Sequence, residues 1–239
     1  MNSSLNINCD LGEGFANDSL IMPLIDACNI ACGGHAGNPD TIRQTIRLAN
    51  AHQVKIGAHP SFPDRENFGR VPMNLSPAEL SDSILSQIKG FHKIAQEENT
   101  QIHHIKLHGA LYNLAAVDLK TAQIVVDTLQ KLDFPFKIFT LEKSILAKLA
   151  SDSFEIVSEA FMDRQYQDDL RLMPRSKPGA VLTDQHKVWE QYRGLMEDKM
   201  IETVSGERKK MHAQTVCIHG DQPNTVAHLK YIQKQLENR

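Results

Sequence analysis

A chain of 239 residues with 41% hydrophobic and 23% charged side chains has the make-up expected of a soluble globular protein with one large core or two small ones. A formal net charge of −3 provides no attraction to nucleic acid or to an anionic membrane, so neither is expected as a partner. The opening stretch MNSSLNINCDLGEG lacks a basic region followed by a long apolar run, and no later run is long enough to span a bilayer; the cytoplasm is the expected compartment.

Strand-like runs, rich in β-branched and other apolar residues, recur at Leu5 to Leu11, Cys28 to Cys32, Val54 to His59, Ile102 to His108, Phe136 to Leu141, Phe154 to Glu159, Ala180 to Leu182 and Thr215 to His219. Helical signals separate most of them. Asn38 followed by Pro39 begins a helix with the stripe Ile42, Ile46, Ala49, and Ser76, Pro77 and Glu79 form a capping box ahead of Leu80, Ile84, Ile88, Phe91 and Ala95. Further helices are expected around Ile124 to Leu132, from Thr183 to about Met200, and along Val226, Leu229, Ile232 and Leu236. This alternation predicts an α/β protein, residues 1–239 forming one domain, a β/α (TIM-like) barrel of about seven parallel strands. A doubly wound open sheet is the competing arrangement, but it gathers its site at one switch point, whereas here the polar strand ends are spread along the whole chain.

Those strand ends carry the chemistry. His35, His59, His108 and His219 each close an apolar run and are followed directly by Gly, Ala or Pro, which places four imidazoles at strand exits on a common rim. The first strand ends Asn8-Cys9-Asp10-Leu11-Gly12-Glu13, with Asn8 and Asp10 on one face and Glu13 in the turn. A carboxylate pair near several imidazoles suits general acid and base work or metal ligation. HExxH is absent, so the sequence leaves a metal open and assigns no residue to one. Glu159, Asp163 and Arg164 follow a later strand and read as an acid with a charged clamp, while Tyr112 and Tyr166 are possible hydroxyl donors. Arg171, Arg175 and Lys177 read as solvated charge, as does Arg208-Lys209-Lys210. Pro60 to Ser76 and Ala160 to Gly179 are long enough to be binding loops or lids. Cys9, Cys28, Cys32 and Cys217 lack CxxC spacing and read as small buried hydrophobes, with a catalytic thiolate as the alternative. Neither GxxxxGK[ST] nor GxGxxG occurs.

Taken in order, NCDLGE, NIACGGHAG, GAHPSFPD with FGR, KLHGALYN, EAFMDRQY and CIHGDQP resemble the LamB/YcsF family, the A subunits of bacterial 5-oxoprolinase. The chain departs from the family pattern at Gly34, Leu107 and Met162, where Phe, Pro and Ala are usual, and the first two are expected to alter pocket shape. The resemblance implies a distorted barrel of the glycoside hydrolase and deacetylase kind. It implies ATP-dependent opening of 5-oxoproline to L-glutamate together with two partner subunits, B and C, with ATP used by the complex rather than in a P-loop of this chain. On that reading Asp10, Glu13, His35, His59, His108, Glu159 and His219 are the catalytic candidates, and Asn8, Asp163 and Arg164 the substrate contacts. Asp10 or Glu13 would activate water beside His59 or His108. A stand-alone metal-dependent hydrolase, with Asp10 and the rim histidines as ligands, and a non-catalytic lactam-binding subunit stay open as alternatives.

Overall fold

Parallel pairing carries the strands round into a ring. In the computed structural model, which describes residues 4–238, β1 (Asn6–Leu11) pairs with β2 (Ala27–Ala31), β2 with β3 (Lys55–His59) and β3 with β4 (His104–Ile105). β4 pairs with β5 (Lys137–Leu141), and β5 with β6 (Glu155–Phe161). Two short antiparallel strands, β7 (Met200–Glu202) and β8 (Arg208–Lys210), stand outside the ring. β9 (Thr215–His219) pairs with both β6 and β1 and closes a barrel of seven parallel strands.

The helices α1 (Asp18–Ile21), α2 (Pro39–Ala51), α3 (Pro77–Glu97), α4 (Gly109–Val117), α5 (Leu119–Leu129), α6 (Ile145–Ala150), α7 (Gln185–Arg193) and α8 (Thr225–Glu237) connect these strands. Both expected capping signals form: Asn38 accepts from Asp40 N and Thr41 N, and Ser76 exchanges bonds with Glu79. The outward strand residues Ile30, Ile56 and Ala58 join one core with Ile42 and Ile46 of α2 and Ile84 and Ile88 of α3. None of the described helices is long and apolar enough to cross a membrane.

Three expectations need correction. Ala180 to Leu182 is not a barrel strand: Lys177-Pro178-Gly179 precedes it, and Val181 makes only an isolated antiparallel bridge to Arg164. The segment lies across the loop after β6 instead, with Leu182 N donating to Asp163 O. The helix expected to run to Met200 ends at Arg193 and passes through a π-helical turn, Gly194–Asp198, into β7. Arg208 to Lys210, read as a solvated turn, forms β8, and Lys209 Nζ donates to Asp168 O at 2.6 Å.

The barrel interior is polar rather than filled with branched aliphatics, the usual content of such a barrel. Its apolar floor is the small cluster Ala27, Phe139 and Val157. The His104 ring stacks on Phe139 with centroids 3.9 Å apart, and its Nε2 donates to Asn29 Oδ1 at 2.7 Å. Gly57 gives this ring its space, because a Cβ there would lie 2.2 Å from His104 Nε2. Gly57→Ala is therefore expected to cost about 1–3 kcal/mol by overpacking. In thermal denaturation that is a fall of roughly 2–4 °C in Tm per kcal/mol for a domain of this size.

Candidate active site

Strand ends deliver the polar groups to one side of the barrel. Gly12 has φ +71° and would press a Cβ to 3.1 Å from Ile30, so the chain turns sharply after β1 and returns Glu13 over the barrel mouth. Glu13 Oε1 lies 3.0 Å from His35 Nε2 and 3.6 Å from His108 Nδ1. The His35 and His108 rings stack in parallel, 3.6 Å apart and 3° from coplanar. His59 Nδ1 donates to Lys106 O at 2.8 Å, and His108 Nε2 donates to Phe68 O at 3.0 Å. Their remaining nitrogens, His59 Nε2 and His108 Nδ1, face each other at 2.9 Å. Glu13, His35, His59 and His108 thus bring one potential metal-ligand atom each within 4.8 Å of one another. Burial, then the neighbouring His59, pushes His35 down to about 2, and burial with His35 and His59 holds His108 well below the usual imidazole range. Burial, with Asp10 and Asp221, raises Glu13 well above the usual carboxylate range.

Below this cluster sits a lysine that the sequence reading did not single out. Lys106 is 2% exposed, and its Nζ lies 3.2 Å from Asp10 Oδ1, 2.9 Å from Glu159 Oε1 and 3.0 Å from Cys217 Sγ. Burial opposes its charge, but Asp10, Cys217 and Glu159 outweigh that and hold it well above the usual lysine range. Burial likewise pushes Asp10 up, and Lys106 and His59 outweigh it, so Asp10 titrates well below the usual range. The network extends through Asn29, which donates to Asn8 Oδ1 and Asp10 Oδ1, and through Tyr112, which donates to Glu159 Oε2 at 2.9 Å. The signal for Lys106 was present in the strand period: it stands two residues before His108, on the same face.

Asp10, His59, Lys106, His108 and His219 open on a cavity of about 550 Å³. The first turn of α4 and the arginines Arg70, Arg164, Arg171 and Arg175 complete its wall. His219 Nδ1 lies 2.9 Å from Asp163 Oδ2, and the same oxygen accepts from His219 N at 2.9 Å. Burial opposes the Asp163 charge, but His219 outweighs it and keeps the carboxyl below its usual range. The carboxylate thereby holds the proton on Nδ1 and leaves Nε2 to act. At the mouth, Arg70 and Arg175 both contact Asp221 Oδ2 at 2.5 Å.

That triad has a consequence for acid stability. Burial opposes the Asp221 charge, yet the Arg175 hydrogen bonds and charge outweigh it, with smaller help from His219 and Arg70, and its pKa falls below the usual carboxylate range. A carboxyl with a lowered folded-state pKa stabilises the fold above its unfolded value, about 3.9, and loses that contribution as pH falls towards the folded value. Asp221→Asn is expected to reduce stability above about pH 5 and to flatten the acid limb below about pH 4, read as Tm against pH.

The expected residues fall into two sets. Asp10, His59, His108, Arg164 and His219 reach the cavity. Glu13, His35, Glu159, Asn8 and Asp163 are buried behind it, each 5% exposed or less at its side chain or as a whole residue. Asn8 and Asp163, expected to contact substrate, are instead committed internally: Asn8 donates to Glu159 and Thr215, and Asp163 holds His219. Arg164 donates to Met173 O at 2.6 Å and Ala180 O at 3.3 Å, so it braces the loop over the cavity. Arg175, read as solvated, is half-buried and belongs to the arginine–aspartate triad at the mouth. The cysteine thiols are all free and buried; burial raises Cys9 and Cys217 well above the usual range and pushes Cys32 up to about 12, which leaves them protonated. Of the two departures expected to alter pocket shape, Leu107 lines the cavity. Space beside Gly34 is filled by Gln87, which donates to Ser61 O at 2.8 Å.

Comparison with known proteins adds a consistent set of relatives. A model of the LamB/YcsF family matches residues 5–239. Two proteins named as A subunits of 5-oxoprolinase, from Bordetella pertussis and Bordetella bronchiseptica, are each 37% identical over 243 residues, covering 99% of this chain and 96% of their own. The crystal structure of a lactam utilization protein from Thermus thermophilus has a TM-score of 0.91 and 33% identity, over 99% of this chain and 97% of that one.

Proposed function

The chain belongs to the LamB/YcsF family, and from that premise we propose that it is the A subunit of a 5-oxoprolinase, in which its barrel cavity opens the lactam ring of 5-oxoproline to give L-glutamate. The observation that carries this reading is the meeting of a buried charged lysine and an aspartate-oriented imidazole at one cavity. Its volume of about 550 Å³ suits a small-molecule site.

The substrate is a carboxylate bearing a planar amide. Two guanidiniums, Arg70 and Arg175, share one carboxylate, Asp221, which leaves one positive charge at the cavity mouth for the substrate anion. Placed there, the ring reaches inward towards Lys106 and the first turn of α4. Gly109, Ala110 and Tyr112 in the first turn of that helix line the cavity, so its positive end lies there and, with the Lys106 ammonium, stabilises negative charge at the amide oxygen. His219 Nε2 takes a proton from water as it attacks the ring carbonyl carbon. The imidazolium, steadied by Asp163, returns that proton to the ring nitrogen as the C–N bond breaks. Asp10 is ion-paired and held ionised, which makes it a weak base; it orients Lys106 and the water. Glu13, buried behind the cavity, is not the base.

An unstrained amide is a poor electrophile; phosphorylation of the amide oxygen by ATP, with release of ADP, would activate it, and water addition with C–N cleavage then leaves an acyl phosphate that a second water hydrolyses to the carboxylate and phosphate. Among the described residues, the glycine loop after β2 offers no P-loop cradle. It leads into α2, whose first amides are already taken by the Asn38 side chain. We accordingly assign the nucleotide step to the partner subunits, B and C, and propose the cytoplasm as the compartment of the complex.

Calorimetric titration of 5-oxoproline into the chain assembled with its partners tests the binding mode. Arg175→Met is expected to weaken binding about 10–100-fold, the equivalent of one charged hydrogen bond of roughly 1.5–3 kcal/mol. Unchanged affinity in the variant, or no binding by the wild-type assembly, would overturn it.

A further inference from the structure

We infer that Glu13, His35, His59 and His108 form a binding site for a divalent transition-metal cation of the zinc type. The inference goes beyond the substrate reading and does not depend on it. It rests on where the protons must be. A carbonyl oxygen only accepts, so the bond from His59 to Lys106 O fixes a hydrogen on His59 Nδ1, and the bond from His108 to Phe68 O fixes one on His108 Nε2. The two nitrogens left over, His59 Nε2 and His108 Nδ1, face each other at 2.9 Å, and Asp10 Oδ2 adds a further acceptor 3.4 Å from His59 Nε2. Two acceptors at that separation repel unless a positive centre lies between or beside them.

The surroundings point to a cation. Glu13 Oε1 is 3.6 Å from His108 Nδ1 and 3.0 Å from His35 Nε2. His35 Nδ1 is buried without a hydrogen-bond partner, so Nε2, turned towards Glu13, is the engaged nitrogen of that ring. The four ligand atoms lie within 4.8 Å of one another. Zinc bonds of about 2.0–2.1 Å in tetrahedral geometry set ligand atoms about 3.3 Å apart, and the separations of 2.9, 3.0 and 3.6 Å straddle that edge length. Both carbonyl bonds also supply the second layer a metal-bound imidazole usually has, its other nitrogen donating to a fixed acceptor. Three imidazoles and one carboxylate suit zinc, cobalt or nickel, and offer too few oxygens for calcium or magnesium; the His35 ring, stacked on His108, turns on binding so that both lone pairs reach one ion.

The test is metal binding by the whole chain, read without reference to activity. Protein stripped by chelator and titrated with Co(II) is expected to take up one equivalent and to develop visible d–d absorption. Zn(II) is expected to displace the cobalt and bleach that absorption. His59→Ala and His108→Ala are each expected to weaken binding at least about 100-fold, while His212→Ala, outside the cluster, leaves it unchanged. Because an alanine variant can fail to fold, X-ray absorption of the zinc-loaded wild-type chain gives a second reading, three imidazole nitrogens and one oxygen at about 2.0–2.1 Å. Cobalt uptake below a tenth of an equivalent, uptake indifferent to both substitutions in folded protein, or an absorption spectrum of hydrated zinc would overturn the site and leave a shared proton between His59 and His108 as the alternative.

Discussion

Lys106→Met in the assembled enzyme is expected to abolish glutamate formation and to destabilise the chain by about 3–5 kcal/mol, the cost of leaving buried charges without their partner. Methionine nearly matches the lysine in length, so packing is largely retained and the change isolates the ammonium. Without it Asp10 and Glu159 face each other across the barrel with only neutral donors, Asn8, Asn29 and Tyr112, besides His59 near Asp10. Denaturant unfolding reads the stability term, and Tm should drop roughly 6–20 °C at 2–4 °C per kcal/mol. Activity, measured well below that Tm with the circular dichroism spectrum retained, reads the catalytic term. Lys106→Arg is not expected to rescue, because a planar fork cannot occupy the space of a compact ammonium held between Asp10, Glu159 and Cys217. Full activity in folded Lys106→Met protein would remove the ammonium from the reaction.

His219→Gln is expected to lower turnover by about 10²–10⁴, the range of a single general acid–base group, with little change in stability, since the side chain is partly open to the cavity. Asp163→Asn should lose a comparable factor although it touches no substrate. An amide in that position no longer fixes the hydrogen on Nδ1, so Nε2 loses the lone pair that takes the proton from water. The two losses should not add in the double variant, because the pair acts as a unit. A loss confined to KM would place His219 in binding instead.

The sequence shows the rim but not its depth. His35, His59, His108 and His219 were visible because each ends an apolar run immediately before a small residue or proline, a local pattern that survives in the fold. Lys106 shares a strand face with His108 but was passed over, because a lysine inside HIKLH looks solvent-facing until the barrel closes over it and supplies Asp10 and Glu159 from two other strands. The same limit hid the pairing of Arg175 with Asp221, 46 residues apart, and made the arginine look solvated. Capping boxes at Asn38 and Ser76 were legible because they are complete within four residues. The triplet Ala180 to Leu182 misled for the opposite reason: its composition is that of a strand, yet the strands that could pair with it are already joined through β6 and β9. That closure is a long-range event, invisible to composition.

The central claim is that ring opening takes place in this chain. It is tested most directly by measuring glutamate and ADP from 5-oxoproline and ATP in three mixtures: this chain alone, the partner subunits alone, and all together. Glutamate is expected only in the complete mixture, and is expected to disappear when the His219→Gln chain replaces the wild type. Glutamate formed at the full rate by the partners without this chain, or unchanged with the variant, would contradict it.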